Sequence, residues 1–288
     1  MPCELRTGYT SGAHIMQIRA GFRIAYDCPR PTPMLLMLSV HPSRTADLVT
    51  PHTLLYEPYV EARDYRDVFG NIVTRIVAPT GRIVISADFI VSDPGTPDIV
   101  EPDAEQLPVE ALPDDVMVYL LGSRYCDTDK MMHTAWSLFA NAPQGWGRVQ
   151  AICNYVNEHL TFGYQHASAT RSALDGYNER RGVCRDFAHL AITLCRCMNI
   201  PARYCTGYLG DIGIPPAPEP MDFSAWFEAY LGGRWYTFDA RHNKPRIGRV
   251  VMARGRDATD VALSTIFGPA ALTGFTVITD EVVATQAA

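Results

Sequence analysis

The chain has 288 residues, 47% of them apolar and 19% charged, with a formal net charge of -6. That apolar content excludes whole-chain disorder, and the acidic balance excludes a nucleic-acid binder that works by neutralising phosphates. No apolar run reaches the roughly 18 residues of a membrane-spanning helix, and the eight cysteines are too sparse for a disulfide scaffold.

The first residues lack the apolar stretch of about 7–15 residues that a secretory signal needs. The expected location is therefore cytoplasmic, with mostly reduced thiols. At roughly 150 residues per domain the length suggests two domains. Residues 15–92 read as β, with strand patterns over 15–26, 34–40, 68–79 and 82–91. The last alternates at period two and puts Ile83, Ile85, Ala87 and Phe89 on one face. Successive short strands without helical patterns predict an antiparallel sandwich or open barrel. Residues 93–115 hold five prolines and many acidic side chains, and read as a linker or a long surface crossing. The boundary is placed there, giving a β-rich domain over 1–105 and a second unit over 106–288.

Helical patterns follow over 127–140, 145–160 and 183–198. In the second, Val149, Ile152, Cys153, Val156 and Leu160 recur at helical spacing; in the third, Phe187, Leu190, Ala191 and Leu194 form the apolar stripe. Strands return over 202–209, 224–231, 234–239 and near 272–284. Helices followed by antiparallel strands make the second unit α+β.

The main chemical signal is Gly182-Val183-Cys184 at the start of the third helix. Unpaired backbone N–H groups and the helix dipole favour an anion there, so a lowered thiol pKa is expected. The same N–H groups suit a tetrahedral oxyanion, and Gly182 permits close approach of a substrate backbone. Downstream, Gly232-Gly233 divides two alternating segments and predicts a hairpin. A two-residue turn sets Leu231 opposite Arg234 and Trp226 opposite Asp239, with Ser224 the diagonal neighbour of Asp239.

The segments GVCRDFAHLA, IPARYCTGYL, DFSAWFEAYLGGRWYTFDARHN and RIGRVVMARGRDATDVAL together resemble a bacterial member of the transglutaminase-like superfamily. The resemblance covers about 145–268. It implies a papain-like Cys-His-Asp core (helices packed on an antiparallel sheet) after an N-terminal β domain, with Cys184 as nucleophile and Asp239 orienting the base. Tyr164 and Gln165 lie where such folds supply an oxyanion donor, and Trp226 and Trp235 read as core and cleft-wall aromatics.

The sequence departs from the family at one position. The family's base histidine precedes Ala-Trp, and here that position is Ser224. A hydroxyl cannot serve as a general base near neutral pH. His242, three residues past Asp239, faces away from Ser224 in strict register, but a bulge or turn after Asp239 brings it back. His189 is on the wrong face of the third helix, about 140° from Cys184, and His166 lies in a loop before it. A natural variant with another base, a pseudoenzyme that keeps the cleft, and an engineered inactivation all fit. Asp186 suits the helix N-terminus and can hold Arg185 or Arg203, and Glu228 is either near the cleft or an exposed strand charge.

No phosphate-binding glycine loop, H-E-x-x-H or calcium loop is present in the sequence, so neither a metal nor an organic cofactor is expected. The leading expectation is a cysteine protease or amidase working through a Cys184 thioester on a peptide or protein substrate. Transamidation uses the same residues. A binding protein with the same cleft is the alternative, and a structural partner in an assembly is the third.

Overall fold

The structure, a computed structural model, describes residues 16–218 and 220–282. Cys3, His14, Ile15 and the end of the strand expected near 272–284 lie outside the described residues.

The N-terminal half is built from β1 (Met16–Cys28), β2 (Thr32–Leu36), β3 (Leu55–Glu57), β4 (Arg63–Arg66), β5 (Ile72–Ala78) and β6 (Gly81–Asp93). Along β1 every second residue from Ile18 to Tyr26 is buried, and along β6 the expected face of Ile83, Ile85, Ala87 and Phe89 points inward with Val91. These residues join Met34, Leu36, Ile76 and Ala78 in one core between two antiparallel sheets. The fold class is thus as the sequence indicates: a β-rich N-terminal region followed by an α+β core.

That core begins after the acidic crossing. It comprises α1 (Asp114–Met117), α2 (Thr128–Phe139), α3 (Trp146–His159), β7 (Thr161–Phe162), α4 (Ala173–Glu179), β8 (Arg181–Gly182), α5 (Cys184–Cys197), β9 (Ala202–Tyr208), β10 (Ser224–Leu231), β11 (Arg234–Phe238) and β12 (Val250–Gly255). Its antiparallel sheet runs in the order β11-β10-β9-β12. Helix α5 is buried along almost its whole length because it is sandwiched. One side meets Ala225, Phe227, Ala229 and Leu231 of β10, and α2 and α3 cover the other. The three long helices lie within two residues of their expected bounds. The sequence reading missed α4, which is short and capped by Ser172 and Asp175.

Two further strands lie near the C-terminus. Strand β13 (Ser264–Ile266) pairs with β2, and β14 (Ala271–Glu281) pairs with β1 over ten register positions. The chain thus returns to the first half to cover the β1 edge, which would otherwise present unpaired backbone groups. The crossing over 93–115 is also tied down: the Asp98 N–H donates to the Arg246 carbonyl, and its carboxylate accepts the Arg246 N–H and meets Arg249. Among the described residues no helix is long and apolar enough to cross a membrane.

Candidate active site

Cys184 is the first residue of α5. The Val183 N–H ahead of it donates to Asp186 Oδ2 at 2.8 Å, so an acid one turn in satisfies a backbone donor that the helix leaves open. Arg171 Nη1 (3.2 Å) and Arg185 Nη2 (3.5 Å) hold Asp186. The Arg203 partner weighed for it goes elsewhere, to Glu228 at 2.5 Å. Gly182 has a nearer role than admitting substrate, because a Cβ there would come within 2.6 Å of the Asp186 carboxylate.

The lowered thiol pKa expected of a helix start is not found. Burial pushes the Cys184 thiol up to about 11, against the pull of Arg241 and of the Ala225 backbone N–H that reaches the sulfur; Asp222 and Asp239 push it up further. The residue keeps part of its surface, whereas the six other described cysteines are fully buried. Cys184 therefore rests as a thiol, and nucleophilic attack requires a base to take its proton.

The hairpin forms in the expected register, with Leu231 opposite Arg234 and Phe227 opposite Phe238. Gly232 (φ 54°) and Gly233 (φ 87°) occupy the left-handed region that a two-residue hairpin turn of this hand demands. Ser224 opens β10 and Asp239 directly follows β11. The chain then turns on the Asp239 side chain. Its Oδ1 accepts the backbone N–H groups of Arg241 (3.0 Å) and His242 (3.1 Å), and its backbone carbonyl accepts the Asn243 N–H at 2.7 Å. This turn swings His242 back, so that its Nδ1 lies 2.8 Å from Asp239 Oδ2. Arg249 Nη2 shares the same oxygen at 2.9 Å. Burial alone would raise the Asp239 carboxyl. The Arg249 guanidinium and the His242 ring and N–H outweigh it and hold the carboxyl well below the usual carboxylate range. A proton on Nδ1, donated to this carboxylate, leaves His242 Nε2 as an acceptor.

His242 and Ser224 line one small cleft of about 50 Å³ together with Tyr164, Asp222, Arg241 and Arg246. Ser224 is 6% exposed, and its hydroxyl has no hydrogen-bond partner among the described residues. Arg241 stacks 3.7 Å above the Phe162 ring at the cleft wall. Gln165 does not reach the cleft; its amide folds over Gly163 and points toward His166. Trp226 is not a wall of this cleft either. With Glu228 and Arg249 it lines a separate cavity of about 270 Å³, under the Arg249 guanidinium at 5.0 Å. Glu228 is buried rather than exposed, held by Arg203 and Arg254.

The two other histidines weighed as bases, His189 and His166, do not line this cleft. Burial lowers His189 to about 3. Its Nε2 accepts the Ala258 N–H at 3.1 Å, and its ring stacks on Tyr125. His166 offers its backbone carbonyl to Arg171. Sequence reasoning missed Arg241 and Arg249 beside the site. An arginine in a loop carries no periodic signal, so nothing marked either one.

A family model described as the transglutaminase-like superfamily matches residues 133–240, which contain Cys184, Ser224 and Asp239 and end just before His242. A solved structure from Cytophaga hutchinsonii, described as a candidate cysteine protease, superposes with a TM-score of 0.82 at 31% identity, covering 95% of this chain and 93% of that one. An uncharacterized protein of Mycobacterium leprae is 26% identical over 215 residues, 71% of this chain and 75% of its own length. One from Mycobacterium tuberculosis is 35% identical over 117 residues, about a third of each chain.

Proposed function

The chain belongs to the transglutaminase-like superfamily, and from that membership we propose that it is a cysteine hydrolase of peptide or side-chain amides. In this reading His242 replaces the histidine that Ser224 displaced. The observation that carries the reading is the 2.8 Å contact between His242 Nδ1 and Asp239 Oδ2, made in the same cleft that Ser224 lines. The likeness to the Cytophaga hutchinsonii structure supports it.

As the Cys184 sulfur bonds to the amide carbonyl carbon, His242 Nε2 takes the thiol proton. The backbone N–H groups at the start of α5 receive the developing oxyanion. Collapse breaks the C–N bond, and His242 passes its proton to the leaving amine. Water then attacks the thioester, giving a proton to His242, and the C–S bond breaks to return Cys184 as a thiol. Asp239 fixes the imidazole tautomer throughout and stabilises its charged form. An amine in place of that water gives transamidation.

A second reading has one observation in its favour: a base position filled by Ser224 beside a thiol raised to about 11 suits a cleft that binds peptide without cleaving it. Activity toward a fluorogenic peptide-amide library, measured for the wild type, Cys184→Ala and His242→Ala, separates the two. The hydrolase reading expects both variants to lose activity by about 100-fold or more. An inactive wild type that still binds peptides supports the second reading.

A further inference from the structure

We propose that Arg249 and Asp98 are positioning residues for the base: Asp98 holds Arg249, Arg249 holds Asp239, and Asp239 holds the His242 imidazole. The proposal rests on the reading of His242 as the base.

The chain of contacts is continuous and mostly dry. Arg249 Nε reaches both oxygens of Asp98, at 3.1 and 2.9 Å, while its Nη2 donates to Asp239 Oδ2 at 2.9 Å. The guanidinium lies over the Trp226 ring, which limits its rotation. Asp98 is itself fixed, because its Oδ2 accepts the Arg246 N–H at 2.9 Å and its own N–H donates to the Arg246 carbonyl. Two donors thus converge on Asp239 Oδ2, and Arg249 occupies the lone pair that His242 does not. Without Arg249 the carboxylate loses its strongest opposing charge and one of the two side-chain donors that fix Oδ2.

The charged and titratable groups around Asp239 come from several elements. Arg241 and His242 lie in its own turn, and Arg246 and Arg249 on the following stretch. Cys153 comes from α3 and Cys184 from α5, and Asp98 from the crossing segment stands behind Arg249. Among these, Arg249 is the cation in direct contact with the carboxylate side chain.

Kinetics of Arg249→Lys, Arg249→Met, Asp98→Asn and the Asp98→Asn/Arg249→Met double variant test this. Arg249→Met should lower kcat about 100-fold with KM changed by less than about threefold, and Lys should recover about tenfold, because only orientation and charge are lost. The acid limb of the kcat profile should move to higher pH in Arg249→Met, because a positive charge beside the base pair is lost. Asp98→Asn should lower kcat about tenfold alone and add nothing in the Arg249→Met background, as coupled residues do. Near-wild-type kcat with an unmoved acid limb in Arg249→Met, or effects that multiply in the double variant, would overturn the proposal. A readout independent of activity is the low-field proton resonance of the His242 Nδ1–H. It should persist in Arg249→Lys and vanish in Arg249→Met, and its survival in Arg249→Met overturns the proposal. If His242→Ala retains wild-type kcat, the hydrolase reading fails, and this resonance still decides the role of Arg249.

Discussion

Restoring the family's histidine by Ser224→His should not restore anything. The Asp239 carboxylate has about four lone-pair sites, and all are taken. Oδ1 accepts two backbone N–H groups, and Oδ2 accepts His242 and Arg249. A second imidazole therefore finds no free acceptor on Asp239. It also finds little room, since Ser224 is 6% exposed beside a cleft of about 50 Å³. Overpacking of this kind costs about 1–3 kcal/mol. In domains of 150–250 residues each kcal/mol lowers Tm by about 2–4 °C. We expect kcat/KM on a fluorogenic peptide amide to stay level or fall by up to about tenfold, roughly 1.4 kcal/mol in the barrier. A rise of about 100-fold, near 2.7 kcal/mol of transition-state stabilisation, would refute the argument that His242 already occupies the role.

Ser224→Ala removes a buried hydroxyl without a partner among the described residues, so stability should hold or rise by up to about 1 kcal/mol in urea unfolding. A clear loss would reveal a bond that the geometry does not contain. Iodoacetamide should modify Cys184 before the six buried cysteines, and its rate should climb about tenfold per pH unit toward a thiol pKa of about 11. A plateau near neutral pH would mean that the thiolate is already formed. The Asp239 carboxyl is depressed in the folded state, so its contribution to stability is full above the ordinary carboxylate range. That contribution should disappear as pH falls through the folded value, and Asp239→Asn should flatten that part of the acid-unfolding curve. An unchanged curve would contradict the Asp239–Arg249 pairing.

The helices and the hairpin were legible because apolar spacing and the Gly232-Gly233 pair report local geometry directly. Cys184 at a helix start and Asp239 at a strand end follow from the same signals. The return of His242 was open, since register alone points it away from Ser224 and only the bonds of Asp239 to its own following N–H groups turn it back. The state of the thiol was misjudged because its dehydration arises where β10 packs on α5, a contact between segments distant in sequence. Trp226 sits where alternation puts it, but Arg249 covers it from a loop that no periodicity describes. The pairing of β14 with β1 joins the two ends of the chain and leaves no local trace at all.

The most direct test of the proposed Cys184–His242 pair is the rate at which an activated acyl ester acylates the protein, followed by intact-protein mass spectrometry with peptide mapping. The wild type should carry one acyl group on Cys184, formed about 100-fold faster or more than in His242→Ala. Equal rates in the two proteins, or an acyl group on another residue, would contradict the account.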